Sequence, residues 1–214
     1  KNKYEGTPEQ WDEAQSLMAK ILDDLKVDYS IGIDEAAFYG PKLDVQYKNV
    51  YGKEDTLATI QIDLLLAKQF DMEYVDTDGQ KKTPYIIHRT SLGCFERTLA
   101  YMIEKYAGAF PTWLAPLQTK ILLVSEKSTE YGKKVYEALR NANVRCELDQ
   151  RNEKIGYLIR EAQVVDRVPY MLIIGQKEAE EGTVSVRTRD GSENISMTLD
   201  EFVSKITKEI ADRA

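Results

Sequence analysis

Residues 85–98 read Tyr85-Ile86-Ile87-His88-Arg89-Thr90-Ser91-Leu92-Gly93-Cys94-Phe95-Glu96-Arg97-Thr98, and they join an apolar strand to a helix through a glycine. The only histidine of the 214-residue chain and a Glu-Arg pair lie at this joint. A flat base can lie against the backbone of Gly93, since glycine has no side chain to block it. Arg97, one helical turn on, offers several donors to a phosphate or a carboxylate. The run therefore suits a nucleotide site, although a plain turn and a solvated arginine would look the same.

Further blocks flank this run on both sides. Upstream lie Phe38-Tyr39-Gly40-Pro41-Lys42-Leu43-Asp44 and Thr59-Ile60-Gln61-Ile62-Asp63, and downstream lie Asp149-Gln150-Arg151-Asn152-Glu153-Lys154-Ile155-Gly156 and Val168-Pro169-Tyr170-Met171. In this order the blocks resemble the threonyl-tRNA synthetase family, and residues 85–118 resemble the third signature motif of the class II aminoacyl-tRNA synthetases. The resemblance covers nearly the whole chain. Several ordered blocks are far more specific than a single Gly-x-x-Glu-Arg.

Composition bounds the class of protein. A chain of 214 residues, 43% of them hydrophobic, is long enough for one or two domains with real cores. Its apolar runs are too short for a membrane span, and its start lacks the layout of a signal peptide. The two cysteines, Cys94 and Cys146, suit neither a disulfide framework nor a zinc ribbon. We therefore expect reduced thiols in a cytoplasmic protein without membrane contact.

The net charge of −7 argues against a protein that holds nucleic acid by bulk electrostatics, and no DNA partner is expected. The imbalance is uneven along the chain. The first 116 residues hold 13 basic and 19 acidic side chains, and the remaining residues hold 16 and 17. The second part can therefore present a local basic face, where contact with RNA would rest on individually placed residues.

Local patterns predict an antiparallel first unit. Thr7-Pro8-Glu9-Gln10 is typical of a capping box with proline at the first helical position. Apolar residues then recur at helical spacing, which predicts an amphipathic helix with one buried face. Alternation predicts strands near residues 29–34, 42–50 and 56–63, and a hairpin-like turn lies at residues 76–80. A strand over 84–88 and a helix over 94–106 complete the unit, whose sheet should keep one polar face.

Residues 107–116 carry two prolines and a glycine, and they mark the predicted boundary between domains 1–116 and 117–214. Strands over 120–124, 144–149, 170–175 and 183–189 alternate with helices over 128–143 and 155–165, before a last helix that Thr198-Leu199-Asp200-Glu201 opens. This alternation predicts a mixed, partly parallel sheet with helices on its faces. With the resemblance, the expected fold class is α/β and α+β: part of a class II synthetase antiparallel sheet, followed by a mixed-sheet α/β anticodon-binding domain.

The resemblance implies ATP-dependent ligation of L-threonine to threonine tRNA through threonyl-adenylate, with Mg²⁺ accompanying ATP. Arg97 and Lys42 are the implied catalytic residues, Arg97 beside the phosphates and Lys42 near the substrate carboxylate. The remaining implied substrate and ATP contacts are made by Tyr39, Gln61, Gly93, Cys94 and Glu96. Two local departures bear on the ATP site. Asp55-Thr56-Leu57-Ala58 stands where bacterial relatives usually carry Trp-Gln-Cys-Gly, and Cys94 stands where they carry a serine.

His88 matches one of three zinc ligands in the family, the other two being a cysteine and a histidine. In those enzymes the ion holds the amino and hydroxyl groups of threonine, so that valine is rejected. This sequence has no second histidine, and neither of its cysteines falls at the family's ligand position. It also lacks a counterpart of the first two class II motifs. We therefore expect a C-terminal part of a longer, homodimeric zinc enzyme, inactive by itself.

The resemblance assigns anticodon recognition to the second domain. Asn152 and Lys154 lie at a strand-to-helix junction, where backbone N–H groups and polar side chains can meet RNA. Glu178 and Arg187 match further anticodon-reading residues. An arginine can stack on an unpaired base, whereas Glu and Asn can read its Watson–Crick edge. A simple helix cap is the alternative interpretation of Asn152-Glu153-Lys154.

Two other functions stay open at this point. The first is a non-catalytic tRNA-binding fragment or paralogue that uses only the second domain. The other is a different class II synthetase with the same anticodon domain, such as the prolyl or glycyl enzyme. His88 before the signature and Phe110-Pro111-Thr112-Trp113 stand against that reading.

Overall fold

A computed structural model describes residues 3–213 of the chain. The chain divides into two compact units, Lys1–Tyr101 and Met102–Ala214. The sequence instead predicts a domain boundary after Pro116, and that boundary stays a prediction. Both cysteines are free, as expected.

Helix α1, Pro8–Asp24, opens the first unit. Its capping box is confirmed, because the Thr7 hydroxyl accepts from the Gln10 N–H at 3.3 Å and the Gln10 side chain accepts from the Thr7 N–H at 3.1 Å. Ala14 is buried against Ile62. The expectation that the whole apolar face is buried is wrong, since Leu17 one turn further on is 52% exposed. The helix therefore packs on its sheet through only part of its apolar stripe.

Strands β1, Lys42–Lys48, and β2, Glu54–Asp63, form an antiparallel pair that a short helix, α2, Leu66–Gln69, follows. The strands β3, Tyr74–Val75, and β4, Lys81–Lys82, pair around the turn predicted at residues 76–80. Strand β5, Ile86–Arg89, adds to β2, and helix α3, Phe95–Tyr106, follows it. The sheet order is β1-β2-β5, with a register shift between Val45 and Gln46.

The strand expected over residues 29–34 does not form. Ile31 is 76% exposed, and Asp34 has a positive φ of 63°, which breaks extended backbone. Alternating side chains make a strand only where a neighbouring strand satisfies the backbone hydrogen bonds. These residues have no such neighbour among those that the structure describes.

The second unit contains β6, Thr119–Leu123; α4, Thr129–Asn141; β7, Cys146–Asp149; α5, Ile155–Val164; β8, Tyr170–Ile174; α6, Gln176–Glu181; β9, Thr183–Thr188; β10, Asn194–Thr198; and α7, Leu199–Asp212. Its sheet order is β10-β9-β8-β6-β7. The strands β7, β6 and β8 are parallel, and β9 and β10 are antiparallel additions. The mixed sheet is therefore confirmed, although the sequence missed α6 and β10.

Helices cover both faces of this sheet, which explains why its strands are apolar runs. Ile121 of β6 packs in one cluster with Phe202 of α7, and its neighbour Leu122 packs in the other with Leu158 of α5. Successive strand residues point to opposite faces, so that both must be apolar here. The expected fold class, an antiparallel sheet unit followed by a mixed α/β unit, is confirmed. Within residues 3–213 no helix has the length and apolarity of a membrane span.

Candidate functional site

Three of the expected site residues form one row across the first unit's sheet. Lys42 of β1 lies directly opposite Gln61 of β2, and Gln61 lies directly opposite His88 of β5. Directly opposed residues point to the same face of a sheet. Ile62, the next residue of β2, points to the other face and packs under α1. The sheet thus has one apolar face, which α1 covers in part, and one face that presents a polar row.

Tyr39 joins the row from the turn before β1. Its hydroxyl donates to the Gln61 side-chain oxygen at 2.5 Å, and its ring centroid lies 6.0 Å from that of His88. Gly40 makes this approach possible, because a Cβ there would lie 1.8 Å from the Ile62 carbonyl oxygen. The turn is fixed further by a hydrogen bond from the Ile62 N–H to the Pro41 carbonyl at 3.0 Å.

Each end of the row, Lys42 and His88, has a carboxylate partner that the sequence interpretation did not assign to the site. Lys42 forms a salt bridge with Asp44, two residues along the same strand. His88 Nε2 lies 2.8 Å from Asp63 Oδ2. Residues two apart on a strand share a face, and this spacing could have flagged both Asp44 beside Lys42 and Asp63 beside Gln61.

Asp63 is tied into the fold more closely than the other members of this face. It is only 5% exposed, and its Oδ1 accepts from the N–H groups of Leu65 and Leu66 at 2.8 Å each. Burial by itself raises the pKa of this carboxyl, but the hydrogen bonds from His88 and from the two backbone donors outweigh burial and hold the pKa below its ordinary value. Asp63 therefore stays ionised beside the imidazole.

A zinc ion does not fit the residues at hand. Within residues 3–213 there is no group of three or more His, Cys, Asp or Glu side chains that could hold a metal. His88 and Asp63 offer two ligands at most, whereas protein zinc sites use three or four.

The glycine turn and Arg97 contact a different part of β2. Gly93 has φ of +68°, and a Cβ there would lie 2.1 Å from the Leu57 carbonyl oxygen. Arg97 is exposed, and its Nη1 donates to the Thr56 carbonyl at 3.0 Å. Thr56 lies five residues before Gln61, roughly 17 Å along a strand. Both contacts fall within residues 55–58, the segment that departs from the family pattern.

Cys94 and Glu96 lie beside this turn and are exposed. The Cys94 thiol donates to the Glu96 carboxylate at 2.9 Å. This hydrogen bond and a backbone donor lower the pKa of Glu96. The pair therefore places an ionised carboxylate beside a thiol at the mouth of the turn.

In the second unit, Asn152 and Lys154 lie in the connection from β7 to α5. Both are exposed, and neither side chain has a hydrogen-bond or ion-pair partner among residues 3–213. Lys154 occupies the N-cap position of α5 without a side-chain cap. The connection therefore presents two polar side chains, and the first turn of the helix behind them has no side-chain acceptor.

Glu178 and Arg187 have different surroundings. The Glu178 carboxylate accepts from the Gly175 N–H at 2.9 Å and from the Ser185 hydroxyl at 2.8 Å, so both oxygens are engaged within the fold. Burial alone raises the pKa of Glu178, but these donors lower it overall. Arg187 is half-buried opposite Met171, and its Nε has no partner in the part of the chain that the structure describes.

Topology brings three of these four residues to one edge of the sheet. The connections after β7 and after β8 leave from the carboxyl ends of parallel strands, which meet at the same edge. Asn152 and Lys154 follow β7, and Glu178 follows β8. Arg187 lies opposite the second residue of β8, nearer the other edge.

Two family models match this chain. The tRNA synthetase class II core domain (G, H, P, S and T) matches residues 4–106, and the anticodon binding domain matches residues 114–209. The chain is 57% identical over 211 residues to threonine--tRNA ligase of Clostridium perfringens and 45% identical over 210 residues to that of Listeria monocytogenes. It covers 99% and 98% of its own length in these comparisons, but spans only about a third of the relatives' length (33% of each).

Solved structures agree with this fold. The chain is similar to the RNA binding domain of threonyl-tRNA synthetase from Cryptosporidium parvum Iowa II, with a TM-score of 0.85 and 35% identity, covering 96% of this chain and 52% of that one. It is also similar to prolyl-tRNA synthetase from Cryptosporidium parvum, with a TM-score of 0.70 and 24% identity, covering 95% and 45%. The second likeness concerns the fold alone.

Proposed function

Because the chain belongs to the threonyl-tRNA synthetase family, we propose that it forms part of a threonine–tRNA ligase. The complete enzyme joins L-threonine to threonine tRNA at the expense of ATP, through threonyl-adenylate, in the cytoplasm. The first unit contributes one wall of the aminoacyl and ATP pocket, and the second unit recognises the anticodon. The homodimer that the resemblance implies stays a prediction.

The polar row is the observation that carries this proposal. Threonine presents a carboxylate, an ammonium group and a hydroxyl, and the row offers a cation, an amide and a phenol side by side. Lys42 is the group for the substrate carboxylate. Tyr39 and Gln61 are the groups for its polar hydrogens, since the two are already hydrogen-bonded and hold each other in place. A site that hydrogen-bonds a substrate hydroxyl strongly rejects the analogue that lacks it.

ATP binds along the same sheet beside the glycine turn. Arg97 uses one N–H on the Thr56 carbonyl, and its remaining donors are free for a phosphate. Gly93, Cys94 and Glu96 form the edge of this pocket. Mg²⁺ enters with ATP, because this ion is held chiefly by substrate phosphates and water. These side chains position the reactants and offset negative charge, which is the main demand of adenylate formation.

Anticodon recognition falls to the edge of the second unit's sheet. Asn152 and Lys154 have unpaired polar groups at a strand-to-helix junction, where unstacked bases can be hydrogen-bonded. Glu178, at the same edge, and Arg187, which lies nearer the other edge, complete the proposed set. Glu178 already accepts an internal hydrogen bond on each oxygen and has only its remaining lone pairs for a base, so it is the weakest reader of the four.

A non-catalytic tRNA-binding protein is the second candidate. The observation that favours it is that Lys42, the cation of the row, is already paired with Asp44 within the fold. The first unit's row would then have no substrate, and its members would tolerate substitution. The two candidate functions thus differ in whether the polar row binds a substrate.

The experiment replaces the matching third of the Clostridium perfringens relative with this chain and measures threonine-dependent pyrophosphate exchange. We expect exchange by the chimera and a loss on the order of 10²-fold in Gln61→Ala and Lys42→Ala. Ser196→Ala, an exposed change in β10, is the control and should leave exchange unchanged. A folded chimera without exchange, or one indifferent to the row variants, would favour the non-catalytic protein.

A further inference from the structure

A buried carboxylate lies directly beneath the RNA-facing connection. Asp149, the last residue of β7, is 4% exposed. It accepts from the Arg151 backbone N–H at 3.1 Å, from Arg151 Nε at 3.0 Å and from Nη2 at 2.6 Å. These hydrogen bonds lower the pKa of Asp149, so the carboxylate stays charged. Three donors from one residue on one carboxylate fix both the backbone and the side chain of Arg151.

Two other elements hold the same pair in place. Arg151 Nη2 also contacts the carboxylate of Glu161 on α5. Lys120 of β6 lies 3.7 Å from Asp149 and donates to Asp166 at 2.6 Å. Its ammonium is buried, and although burial lowers its pKa, the hydrogen bond to Asp166 and the surrounding carboxylates raise it overall. The Arg151 guanidinium therefore links Asp149 at the end of β7 to Glu161 on α5, and the buried ammonium of Lys120 also lies near Asp149.

The connection from β7 to α5 is fixed by hydrogen bonds at Arg151, and the side chains that follow it there have no partners among residues 3–213. Residues 150–154 span the gap between the two elements, and Arg151 is the anchored member. Asn152 follows it directly and has no side-chain partner within the described part of the chain. The anchor thus fixes where the unpaired side chains leave the fold, while those side chains keep their hydrogen-bonding groups for a ligand.

We propose that Asp149 and Arg151 are positioning residues for anticodon recognition, which preorganise the connection so that Asn152 and Lys154 meet unstacked bases. This inference rests on the proposed function of the second unit. A loop already held in its bound conformation loses less conformational entropy on binding, and the saving appears as affinity. Arg151 acts through its neighbours, because its charge is already offset by Asp149 and Glu161.

A direct phosphate contact by Arg151 is the competing role, and salt separates the two. A residue that neutralises a phosphate changes the slope of log K against log salt by nearly one. A positioning residue changes affinity at every salt concentration and leaves that slope unchanged. A positioning residue also acts only while the residue that it positions is present. The losses of binding free energy caused by substituting Arg151 and by substituting Asn152 are therefore not additive.

The experiment uses the intact 214-residue chain with threonine tRNA and with the same tRNA carrying another anticodon. Arg151→Lys keeps the charge but loses the planar fork. We expect its affinity for the threonine anticodon to fall on the order of tenfold, with a smaller ratio between the two tRNAs. In an Asn152→Ala background the same change should have little further effect. Arg151→Gln, which removes the charge, should lose affinity in the same way and leave the salt slope unchanged, whereas loss of a phosphate contact would lower that slope by nearly one. Asp149→Asn should reproduce Arg151→Lys.

Two controls separate positioning from lost stability. Glu130→Gln breaks an exposed ion pair with Lys133 on α4 and should change neither tRNA affinity nor the ratio. Val135→Ala weakens the core under α4 and should lower the melting temperature without changing the ratio. If Asp149→Asn does not fold, Arg151→Lys carries the test, since Arg151 is half-exposed and its replacement buries no unpaired charge.

The outcomes distinguish this inference from the function on which it rests. A folded Arg151→Lys protein with normal affinity and ratio overturns the positioning role, as does a changed salt slope in Arg151→Gln. In either case a loss in Asn152→Ala still supports anticodon recognition. If Asn152→Ala and Lys154→Ala bind both tRNAs as the unchanged protein does, the RNA site itself is wrong.

Discussion

Gly93 shows how one residue can be required by its backbone. Its φ of +68° favours glycine, and the Leu57 carbonyl occupies the place of a Cβ at 2.1 Å. We expect Gly93→Ala to lower the free energy of unfolding of the first unit by about 2 kcal/mol or more, from left-handed strain plus a backbone clash. Chemical denaturation measures the loss.

Gly79 is the matched control for this change. It has φ of +76° but nothing within 4 Å of its would-be Cβ. Gly79→Ala should therefore cost only the conformational part, about 1 kcal/mol. Equal losses in the two variants would mean that the contact of Gly93 with Leu57 carries no energy.

Asp190 gives a prediction about acid. It accepts from the Thr188 hydroxyl at 2.6 Å and from the Ser192 N–H at 3.0 Å, in the turn between β9 and β10, and these donors lower its pKa to about 2. A carboxyl whose folded pKa is depressed adds stability above its ordinary pKa, and that stability is lost as the pH falls through the folded value. We expect the stability gap between the unchanged protein and Asp190→Ala to narrow between pH 4 and pH 2.

Thermal unfolding at pH 6, 4 and 2 measures this gap. Glu137→Ala, an exposed change on α4, is the control and should show little gap at pH 6. A gap for Asp190→Ala that is the same at pH 6 and pH 2 would contradict the prediction.

At the scale of elements, α7 depends on its first turn. Thr198 Oγ1 accepts from the Glu201 N–H at 3.3 Å, and Glu201 accepts from the Thr198 N–H at 2.8 Å. The helix carries Phe202 and Ile206 into the core, so fraying at its start loosens that packing. Thr198→Ala should cost about 1 kcal/mol of unfolding free energy. Ser196→Ala on the neighbouring strand should cost little, and equal effects would rule out a role for the cap.

The elements that the sequence predicted are those with local signals. The capping boxes of α1 and α7 join residues three apart, and both are present. The strand expected over 29–34 needed a distant partner, which alternation of side chains cannot reveal. Helix α6 was missed because six residues are too few for helical periodicity, and because Gly175 takes the place of a side-chain cap.

The row of Lys42, Gln61 and His88 belongs to the same scale. The sequence places each residue on its own strand, but their alignment depends on strand register. Register here follows from the tight turn at Gly40 and the irregularity after Val45, which are tertiary features. The resemblance supplied the residues, and the structure supplied their adjacency. Asp44 and Asp63, in contrast, lie two residues from Lys42 and Gln61 on their own strands, and that local spacing was a signal the sequence interpretation did not use.

At the scale of the whole molecule, the two units differ in how far they cover their own apolar surface. The second unit's sheet has helices on both faces and buries long apolar strands. The first unit leaves large apolar side chains open, such as Leu17 on α1 and Ile87 on β5, which is 65% exposed. Composition could not foresee this contrast, because exposure depends on which elements meet.

Recognition of threonine tRNA is the claim on which the whole account depends, and equilibrium binding tests it most directly. The measurement compares the affinity of the intact 214-residue chain for threonine tRNA with its affinity for the same tRNA carrying another anticodon, at one stated salt concentration. We expect at least a tenfold preference for the threonine anticodon, about 1.4 kcal/mol. Equal affinity for the two tRNAs, from a chain that is folded, would contradict the account.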